Sequence, residues 1–152
     1  MAQGNPQTVV PVILSTVRGE LILQRRDNNS LGAEYLRDKW GFFGGHCEDG
    51  ETPPETAIRE LFEELELRLD PRALEAAGVY QKQPAVHGDN NFVHVFCYAK
   101  PVVPTKFVVH EGRGYALVNK DDVSDAPLTV LTRQHIRSYF GFDKEIEKYR
   151  IA

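Results

Sequence analysis

The sequence predicts a single mixed α/β domain that contains one long amphipathic helix. Its 152 residues suffice for one hydrophobic core without disulfides or structural metals. Hydrophobic residues make up 41% and charged residues 26%, a composition typical of globular proteins. Short apolar runs bounded by turn residues predict strands, and they are interspersed with segments of helical spacing. Because the chain shows neither repeats nor a low-complexity linker, residues 1–152 are expected to form one domain.

Charge and cysteine content narrow the classes of function. The formal net charge of −4 argues against a nucleic-acid or membrane-surface binder, so phosphate would have to be bound by local cations or a metal ion. No secretory signal is expected, because the first ten residues lack a basic segment followed by an apolar one, and no apolar run approaches the ~20 residues needed to span a bilayer. Cys47 and Cys97 match no zinc or redox spacing and are expected to be reduced. A cytoplasmic protein is the resulting expectation.

Strands and turns are predicted for much of the chain. Apolar runs at 9–16 and 20–26 flank an Arg-Gly pair and predict a β-hairpin. The polar segment 27–38 predicts a loop, and 87–90 predicts a turn. Further strands are predicted at 79–86, 92–100, 106–110 and 114–118, and helices at 52–67, at 71–77 and within 128–149.

The helix at 52–67 has the clearest boundaries. Thr52 is the predicted N-cap, a proline follows in the first turn, and Glu55 completes a Thr-x-x-Glu capping box. Asp70 and Pro71 are expected to stop the helix. An apolar stripe roughly 140° wide predicts the side that faces the core. The stripe consists of Ala57, Ile58, Leu61, Phe62 and Leu65.

The same helix carries Glu60, Glu63 and Glu64 on a separate face about 100° wide. Their i, i+3, i+4 spacing brings three carboxylates together, where like charges repel. A solvated acidic face is one interpretation. The other is that a cation relieves the repulsion, and hard oxygen ligands suit Mg²⁺ or Mn²⁺. The helix alone leaves both interpretations open.

A glycine-bracketed loop leads into this helix. Gly44 and Gly45 precede the loop and Gly50 lies near its end. Glycine permits close approach of the backbone to a ligand, and the helix N-terminus presents the positive end of its dipole. Taken alone, these glycines also fit an ordinary turn.

Together, loop and helix form a specific pattern. Residues 45–67 read Gly45, five residues, Glu51, seven residues, Arg59-Glu60-Leu61, one residue, Glu63-Glu64, one residue, Glu66-Leu67. This resembles the signature of the Nudix hydrolases at every specified position but one, and Trp40 and Gly44 resemble the family's lead-in. The exception is Glu66, where the family usually has a glycine, which would end the helix in a left-handed conformation. Glutamate adopts that conformation at a cost of roughly 1 kcal/mol.

The resemblance implies an α/β/α sandwich around a mixed sheet. It also implies metal-dependent attack of water on phosphorus in a nucleoside diphosphate derivative, with Mg²⁺ or Mn²⁺ as the cofactor. Arg59 and Glu51 would form an ion pair that holds the loop against the helix. The implied metal ligands are Glu60, Glu63, Glu64 and the carbonyl of Gly44 or Gly45.

The general base that the resemblance implies is either a helix glutamate or one from a later loop. The later candidate is Glu111, in a segment that resembles the corresponding loop of the members that cleave nucleoside triphosphates. Glu111 is therefore also a candidate metal ligand, although an isolated loop glutamate can equally be a surface residue. Glu48 is a weaker candidate for the base.

Phosphate contacts are expected from basic residues that precede the signature. Arg26 is the first candidate, because the family often carries a basic residue at the end of this strand. Arg25, Arg37 and Lys39 are the others, and solvated surface charge is the alternative for each. Trp40 is expected in the core rather than on a ligand. Strict alternation gives the predicted strand at 92–100 an aromatic face, which either core packing or base stacking would explain. This face consists of Phe92, His94, Phe96 and Tyr98.

Three functions follow. The leading hypothesis is a nucleoside-triphosphate pyrophosphatase that gives a monophosphate and pyrophosphate, with oxidised or non-standard nucleotides as candidate substrates. The second is hydrolysis of ADP-ribose or a nucleotide sugar, although Pro84 lies only near the proline position of that branch. Tyr80 is too early for the diadenosine-polyphosphate branch. The third, a non-catalytic nucleotide-binding module, conflicts with three retained helix carboxylates. The family also makes a homodimer a possible assembly.

Overall fold

The computed structural model of the chain describes residues 8–26, 39–81, 92–112, 114–129 and 132–136. The predicted loop at 27–38 and the turn at 87–90 lie outside these residues. Of the predicted C-terminal helix, residues 132–136 are helical.

Seven strands, the helix α1 and the helical segment at 132–136 are the main elements of the described residues. Six pairings are observed, of which β1 with β6 is parallel and the others are antiparallel, so the sheet is mixed. The main path is β3-β2-β1-β6-β5, with β4 paired to β1 and β7 to β2. The elements are β1 Val9–Ser15, β2 Leu21–Arg25, β3 Trp40–Gly41, β4 Phe43–His46, α1 Pro53–Leu65, β5 Leu74–Gln81, β6 Phe92–Tyr98 and β7 Tyr115–Val118.

Hydrophobic packing covers both faces of this sheet. Because successive side chains of a strand point to opposite faces, Val12 and Leu14 of β1 pack in the cluster that contains Leu61 of α1. Ile13, between them, packs in a second cluster with Ile136 of the C-terminal helical segment. The sheet therefore lies between helical elements, which confirms the predicted α/β/α arrangement.

The start of α1 follows the prediction and its end does not. Thr52 is the N-cap, and its side chain accepts a hydrogen bond from the Glu55 N–H at 3.4 Å. The helix ends at Leu65, two residues earlier than predicted and well before Asp70. The reason is Glu66, which adopts a left-handed conformation with φ 53° and ψ 28°. Its N–H donates to the Phe62 carbonyl at 2.8 Å, so Glu66 closes the helix as glycine usually does.

The predicted helix at 71–77 is wrong. A 3₁₀ turn spans Pro71–Ala73, and β5 begins at Leu74, earlier than the predicted strand at 79–86. Strand β5 pairs with β6 from Leu74 opposite Tyr98 to Gln81 opposite Phe92. This long pairing outweighs the weak helix preference of the segment, as tertiary context commonly does.

The predicted strand at 106–110 is also wrong. A 3₁₀ turn at Pro104–Lys106 leads into an extended segment that lies against the end of α1. The N–H of Val108 donates to the Leu65 carbonyl at 3.1 Å, and that of His110 to the Glu64 carbonyl at 2.9 Å. These amides bind carbonyls that a helix terminus leaves unpaired, instead of a neighbouring strand.

Candidate metal and active site

Three carboxylates meet beside the C-terminal half of α1. One oxygen from each of Glu60, Glu64 and Glu111 lies within 4.8 Å of the other two. Glu60 and Glu64 are one helical turn apart, and Glu111 comes from the segment that lies against the helix end. Hard oxygen ligands at this separation suit a small divalent cation such as Mg²⁺ or Mn²⁺.

Glu64 is the buried member, with 3% of its surface exposed. Its Oε2 accepts a hydrogen bond from the Gly44 N–H at 3.2 Å. Burial, followed by the nearby charge of Glu111, raises the pKa of Glu64 to about 9. Burial also raises the pKa of Glu60, against the opposing effect of Arg59. Carboxylates in such surroundings hold their protons unless a cation compensates the charge, so the site fits a divalent metal.

The glycine pair shapes the floor of the site. A Cβ on Gly45 would overlap the Glu60 carboxylate, so only glycine leaves that carboxylate its position. A Cβ on Gly44 would overlap the Val10 carbonyl on β1, and its φ of 141° already disfavours a side chain. The absence of both side chains lets strand β4 lie closely between β1 and α1.

Arg59 joins the loop to the helix. Its Nε and Nη2 donate to the two carboxylate oxygens of Glu51 at 2.7 and 3.0 Å, so the ion pair that the resemblance implies is present. Nη2 also donates to the His46 carbonyl at 2.9 Å. The bond from Arg59 lowers the pKa of Glu51 to about 2. This two-point contact holds the loop in one orientation relative to α1.

Sequence reasoning did not single out Thr56. Its buried hydroxyl donates to Glu51 Oε1 at 2.6 Å and lies 3.0 Å from the Cys47 sulfur. Thr56 therefore supports the same carboxylate that Arg59 holds. The available signal was a small polar residue one turn beyond the N-cap Thr52, on the same face of the helix as Glu60 and Glu63.

Glu63 and Glu48 lie outside the three-carboxylate cluster. Arg59 Nη1 donates to Glu63 Oε2 at 3.1 Å and to Glu60 Oε1 at 2.9 Å. It lies 3.7 Å from Glu48, and the side chains of Glu63 and Glu48 are 56% and 68% exposed. The acidic face of α1 thus carries its own cation, which the sequence analysis had not assigned to that role.

The loop that carries Glu111 is also fixed on its far side. Gly112 has φ 78°, and a Cβ there would lie 2.7 Å from the Arg25 carbonyl. The chain therefore passes tightly over the end of β2 before β7 begins. Glu111 is placed between this contact and the end of α1.

The predicted phosphate-binding residues have different surroundings. Arg26 is half-buried, and among the described residues its Nε has no hydrogen-bond partner. Its N–H donates to the Lys39 carbonyl at 3.2 Å, which brings these two residues together, whereas the Lys39 and Arg25 side chains are exposed. Arg37 lies outside the described residues.

Most of the aromatic candidates belong to the core. Phe96 and Tyr98 are buried in the cluster beside α1, and Trp40 packs against the cluster on the opposite face. His94 is half-buried and Phe92 is 40% exposed. Core packing therefore accounts for three of the five aromatic side chains.

The mixed sheet, the glycine-containing loop that leads into α1 and the carboxylate cluster define an α/β domain with a candidate divalent-metal site. The family model described as "NUDIX domain" matches residues 5–139. The chain therefore belongs to the Nudix hydrolase family.

Comparison with known proteins agrees with this assignment. The chain is 35% identical over 91 residues to a "Nucleoside triphosphate pyrophosphatase/Nudix hydrolase fusion protein" of Bifidobacterium longum (strain NCC 2705). That match spans 59% of this chain and only 18% of the relative. The fold is similar to that of a MutT protein from Methanosarcina mazei Go1 (TM-score 0.70, 20% identity, covering 95% of this chain and 99% of that one). It is also similar to a MutT NUDIX hydrolase from Burkholderia pseudomallei (TM-score 0.71, 19% identity, covering 90% and 98%).

Among the residues that the structure describes, no helix combines the length and apolar character needed to cross a membrane. Cys47 and Cys97 form no disulfide with each other, and Cys47 is buried.

Proposed function

We propose that this chain is a divalent-metal-dependent hydrolase that cleaves nucleoside triphosphates to a monophosphate and pyrophosphate. The observation that carries the proposal is the meeting of Glu60, Glu64 and Glu111 within 4.8 Å. A buried carboxylate facing two others is costly in a domain that does not bind a cation there. Membership of the Nudix family supports phosphate chemistry as the use of that cation.

In this proposal Glu60, Glu64 and Glu111 hold Mg²⁺ or Mn²⁺. Glu63, exposed on the same side of α1, is a proposed further ligand, as is the carbonyl of Gly44 or Gly45. The bound ion would neutralise the diphosphate and lower the pKa of a water molecule. The ion pair between Arg59 and Glu51 keeps the loop and helix in register, so the ligands are in place before the substrate arrives.

Glu111 is the proposed general base. It is the exposed member of the cluster, so its carboxylate can face a water molecule, whereas Glu64 is buried. Glu48 is less suited because it lies outside the three-carboxylate cluster and its carboxylate is 3.7 Å from Arg59 Nη1. In the proposed step the water oxygen bonds to phosphorus, the bond from phosphorus to the bridging oxygen breaks, and the water proton passes to the Glu111 carboxylate.

Arg26 is the proposed phosphate contact. Its half-buried guanidinium has a buried Nε without a hydrogen-bond partner in the described ranges, a donor that a phosphate oxygen could satisfy. Lys39 lies beside it along the backbone, and Arg37 remains a proposal from the sequence. A triphosphate would use this positive charge in addition to the metal, which favours it over an uncharged sugar as the distal group.

A substrate panel tests the proposal. Purified protein with Mg²⁺ is incubated with nucleoside triphosphates, oxidised nucleotides, ADP-ribose and nucleotide sugars, and products are separated by chromatography. Formation of pyrophosphate and a monophosphate supports the proposal. Formation of AMP from ADP-ribose, with no reaction of the triphosphates, supports hydrolysis of ADP-ribose or a nucleotide sugar instead. Glu64→Gln should abolish turnover, whereas Glu75→Gln, an exposed change on β5, should leave it intact. Nucleotide binding without turnover across the panel identifies a non-catalytic module.

A further inference from the structure

The residue immediately before Glu111 makes two contacts with the end of α1. The N–H of His110 donates to the Glu64 carbonyl at 2.9 Å. Its ring Nε2 lies 3.0 Å from Glu66 Oε2, a distance at which a protonated Nε2 donates to the carboxylate. The first contact fixes the backbone of His110. The second restricts the rotation of its side chain and of the chain that leads into Glu111.

Glu66 occupies the position at which this chain departs from the Nudix signature. A glycine there would adopt the same left-handed conformation more easily, but it has no side chain to reach His110. The Glu66 carboxylate takes no part in the core clusters or in the three-carboxylate cluster. Glutamate at this position therefore adds one contact that the usual residue cannot make, and that contact adjoins the third carboxylate of the site.

The loop around Glu111 has a second attachment on the opposite side. Gly112 lies against the Arg25 carbonyl at the end of β2, closely enough that a Cβ would come within 2.7 Å. Glu111 is thus the single residue between a contact to α1 and a contact to the sheet. A change at either attachment should alter how well its carboxylate is held.

We propose that Glu66 is a positioning residue that holds Glu111, through His110, beside Glu60 and Glu64. The inference rests on the proposed function, because it requires Glu111 to bind the metal. Glu66 itself does not touch the metal or the substrate. Its effect is to reduce the range of positions that the Glu111 carboxylate samples in the metal-free protein.

Two substitutions at position 66 separate positioning from folding. Glu66→Gly removes the contact with His110 while favouring the left-handed backbone, so this variant should fold. Glu66→Gln keeps the length of the side chain and an oxygen that accepts a hydrogen bond from His110, so it should behave like the unchanged protein. The contact is about half exposed on both sides, which limits its strength to a few-fold effect in binding.

Two measurements do not depend on turnover. In the metal-free protein, hydrogen–deuterium exchange at residues 107–112 should become several-fold faster in Glu66→Gly and stay unchanged in Glu66→Gln. Mn²⁺ titration followed by electron paramagnetic resonance should show about threefold weaker binding in Glu66→Gly only. Saturating Mn²⁺ should restore kcat of this variant, because the ligand is displaced rather than lost.

The Glu111→Gln variant tests whether Glu66 acts through Glu111. If Glu66 acts through Glu111, adding Glu66→Gly to Glu111→Gln should not weaken Mn²⁺ binding further. Unchanged exchange and unchanged Mn²⁺ affinity in Glu66→Gly would overturn the proposal. An equal loss in Glu66→Gln would also overturn it, by assigning the effect to the charge of Glu66.

If the proposed function is wrong, the variants should give a different set of results. If Glu111→Gln and Glu64→Gln both leave Mn²⁺ affinity and turnover unchanged, the metal does not bind at this cluster, and the positioning role falls with it. If both substitutions weaken Mn²⁺ binding but Glu66→Gly does not, the metal site stands and only the positioning role is wrong.

Discussion

The backbone N–H of Gly44 donates to the carboxylate of Glu64 at 3.2 Å, joining strand β4 to the inner side of α1. Hydrogen bonding favours the charged form of this carboxylate, but burial and the charge of Glu111 outweigh it. The folded protein therefore stabilises the charged form of Glu64 only partly. Its behaviour with and without metal gives the clearest tests of the site.

Glu64→Gln should separate stability from activity. The amide retains an oxygen that can accept the hydrogen bond from Gly44 but carries no charge, so the metal-free variant should unfold at an equal or higher temperature than the parent. Turnover should fall at least ~100-fold because a metal ligand is lost. Steady-state assays measure the turnover. Thermal unfolding with and without Mg²⁺ measures the stability, and the variant should also lose its stabilisation by Mg²⁺. A metal-dependent rise in Tm equal to that of the parent would show that the ion binds elsewhere.

Metal-free stability should fall as the pH rises above neutrality. The folded-state pKa of Glu64 is about 9, above its ordinary value of 4.5, so between these values the folded protein holds a proton that the unfolded chain releases. Raising the pH then favours unfolding, by up to about 2 kcal/mol between about pH 7 and about pH 8.5. Denaturant unfolding at the two pH values measures the loss.

The interval above pH 7 is chosen because burial lowers the pKa of His135 to about 4, which makes stability rise with pH up to about 6.5. Glu64→Gln should show a flatter response in the higher interval. Saturating Mg²⁺ should also flatten it, since the bound ion favours the ionised carboxylate. A pH response identical in parent and variant would assign the titration to another group.

Arg59→Lys should destabilise the loop although it keeps the charge. Lysine cannot reproduce the two parallel bonds to Glu51 or the additional bond to the His46 carbonyl. We expect a loss of about 1–3 kcal/mol in the free energy of unfolding, measured by urea denaturation. Arg72→Lys is the control, because Arg72 pairs with Asp70 on the exposed surface. Equal losses in the two variants would contradict a special role for the loop contact.

Glu51→Gln should make the protein less dependent on pH in acid. Arg59 lowers the pKa of Glu51 to about 2, so this carboxylate contributes stability above its ordinary pKa of 4.5 that is lost as the pH falls toward 2. The variant should therefore be less stable than the parent at pH 6 and closer to it at about pH 3. Acid titrations followed by circular dichroism compare the two proteins.

Gly45→Ala should damage the site more than the fold. The added methyl group would overlap the Glu60 carboxylate, whose flexible end can move away only by leaving the metal cluster. Turnover should fall by at least ~10-fold, as for disturbed metal ligation, with a small change in Tm. Gly50→Ala is a control that should affect the fold more than the site. A Cβ at Gly50 would meet open space, but the φ of 79° disfavours a side chain, so this substitution should cost about 1 kcal/mol of stability and little activity.

The parts of the molecule that could be predicted are those determined by local sequence. Thr52 as N-cap and the charged face of α1 follow from residues within about two turns of one helix. The Arg59–Glu51 pair was implied by the resemblance to the Nudix signature, and the structure contains it. The start of β5 at Leu74 could not be predicted in the same way, because its pairing with the distant β6 determines it. The extended segment before Glu111 was misassigned as a strand for a similar reason, since its partners are the Glu64 and Leu65 carbonyls.

The consequence of Glu66 for the site lay beyond local reasoning as well. The resemblance implied that the family's usual glycine at this position would be left-handed, and Glu66 adopts that conformation although the helix was predicted to continue to residue 67. The contact with His110 depends on how a segment more than forty positions later returns to the helix. Only the folded chain brings the two residues together.

The candidate site consists of two parts that are attached to the domain in different ways. The loop that carries Glu111 is held by one contact at Gly112 and by others at the end of α1. Glu60 and Glu64 belong to a helix that is integral to the core, so they cannot be moved without refolding the domain. Glu111 is carried by a short surface connection that could be exchanged for one of another length or sequence. Descendants of such a chain could therefore acquire a different third carboxylate, or lose it, while the inherited scaffold stayed intact.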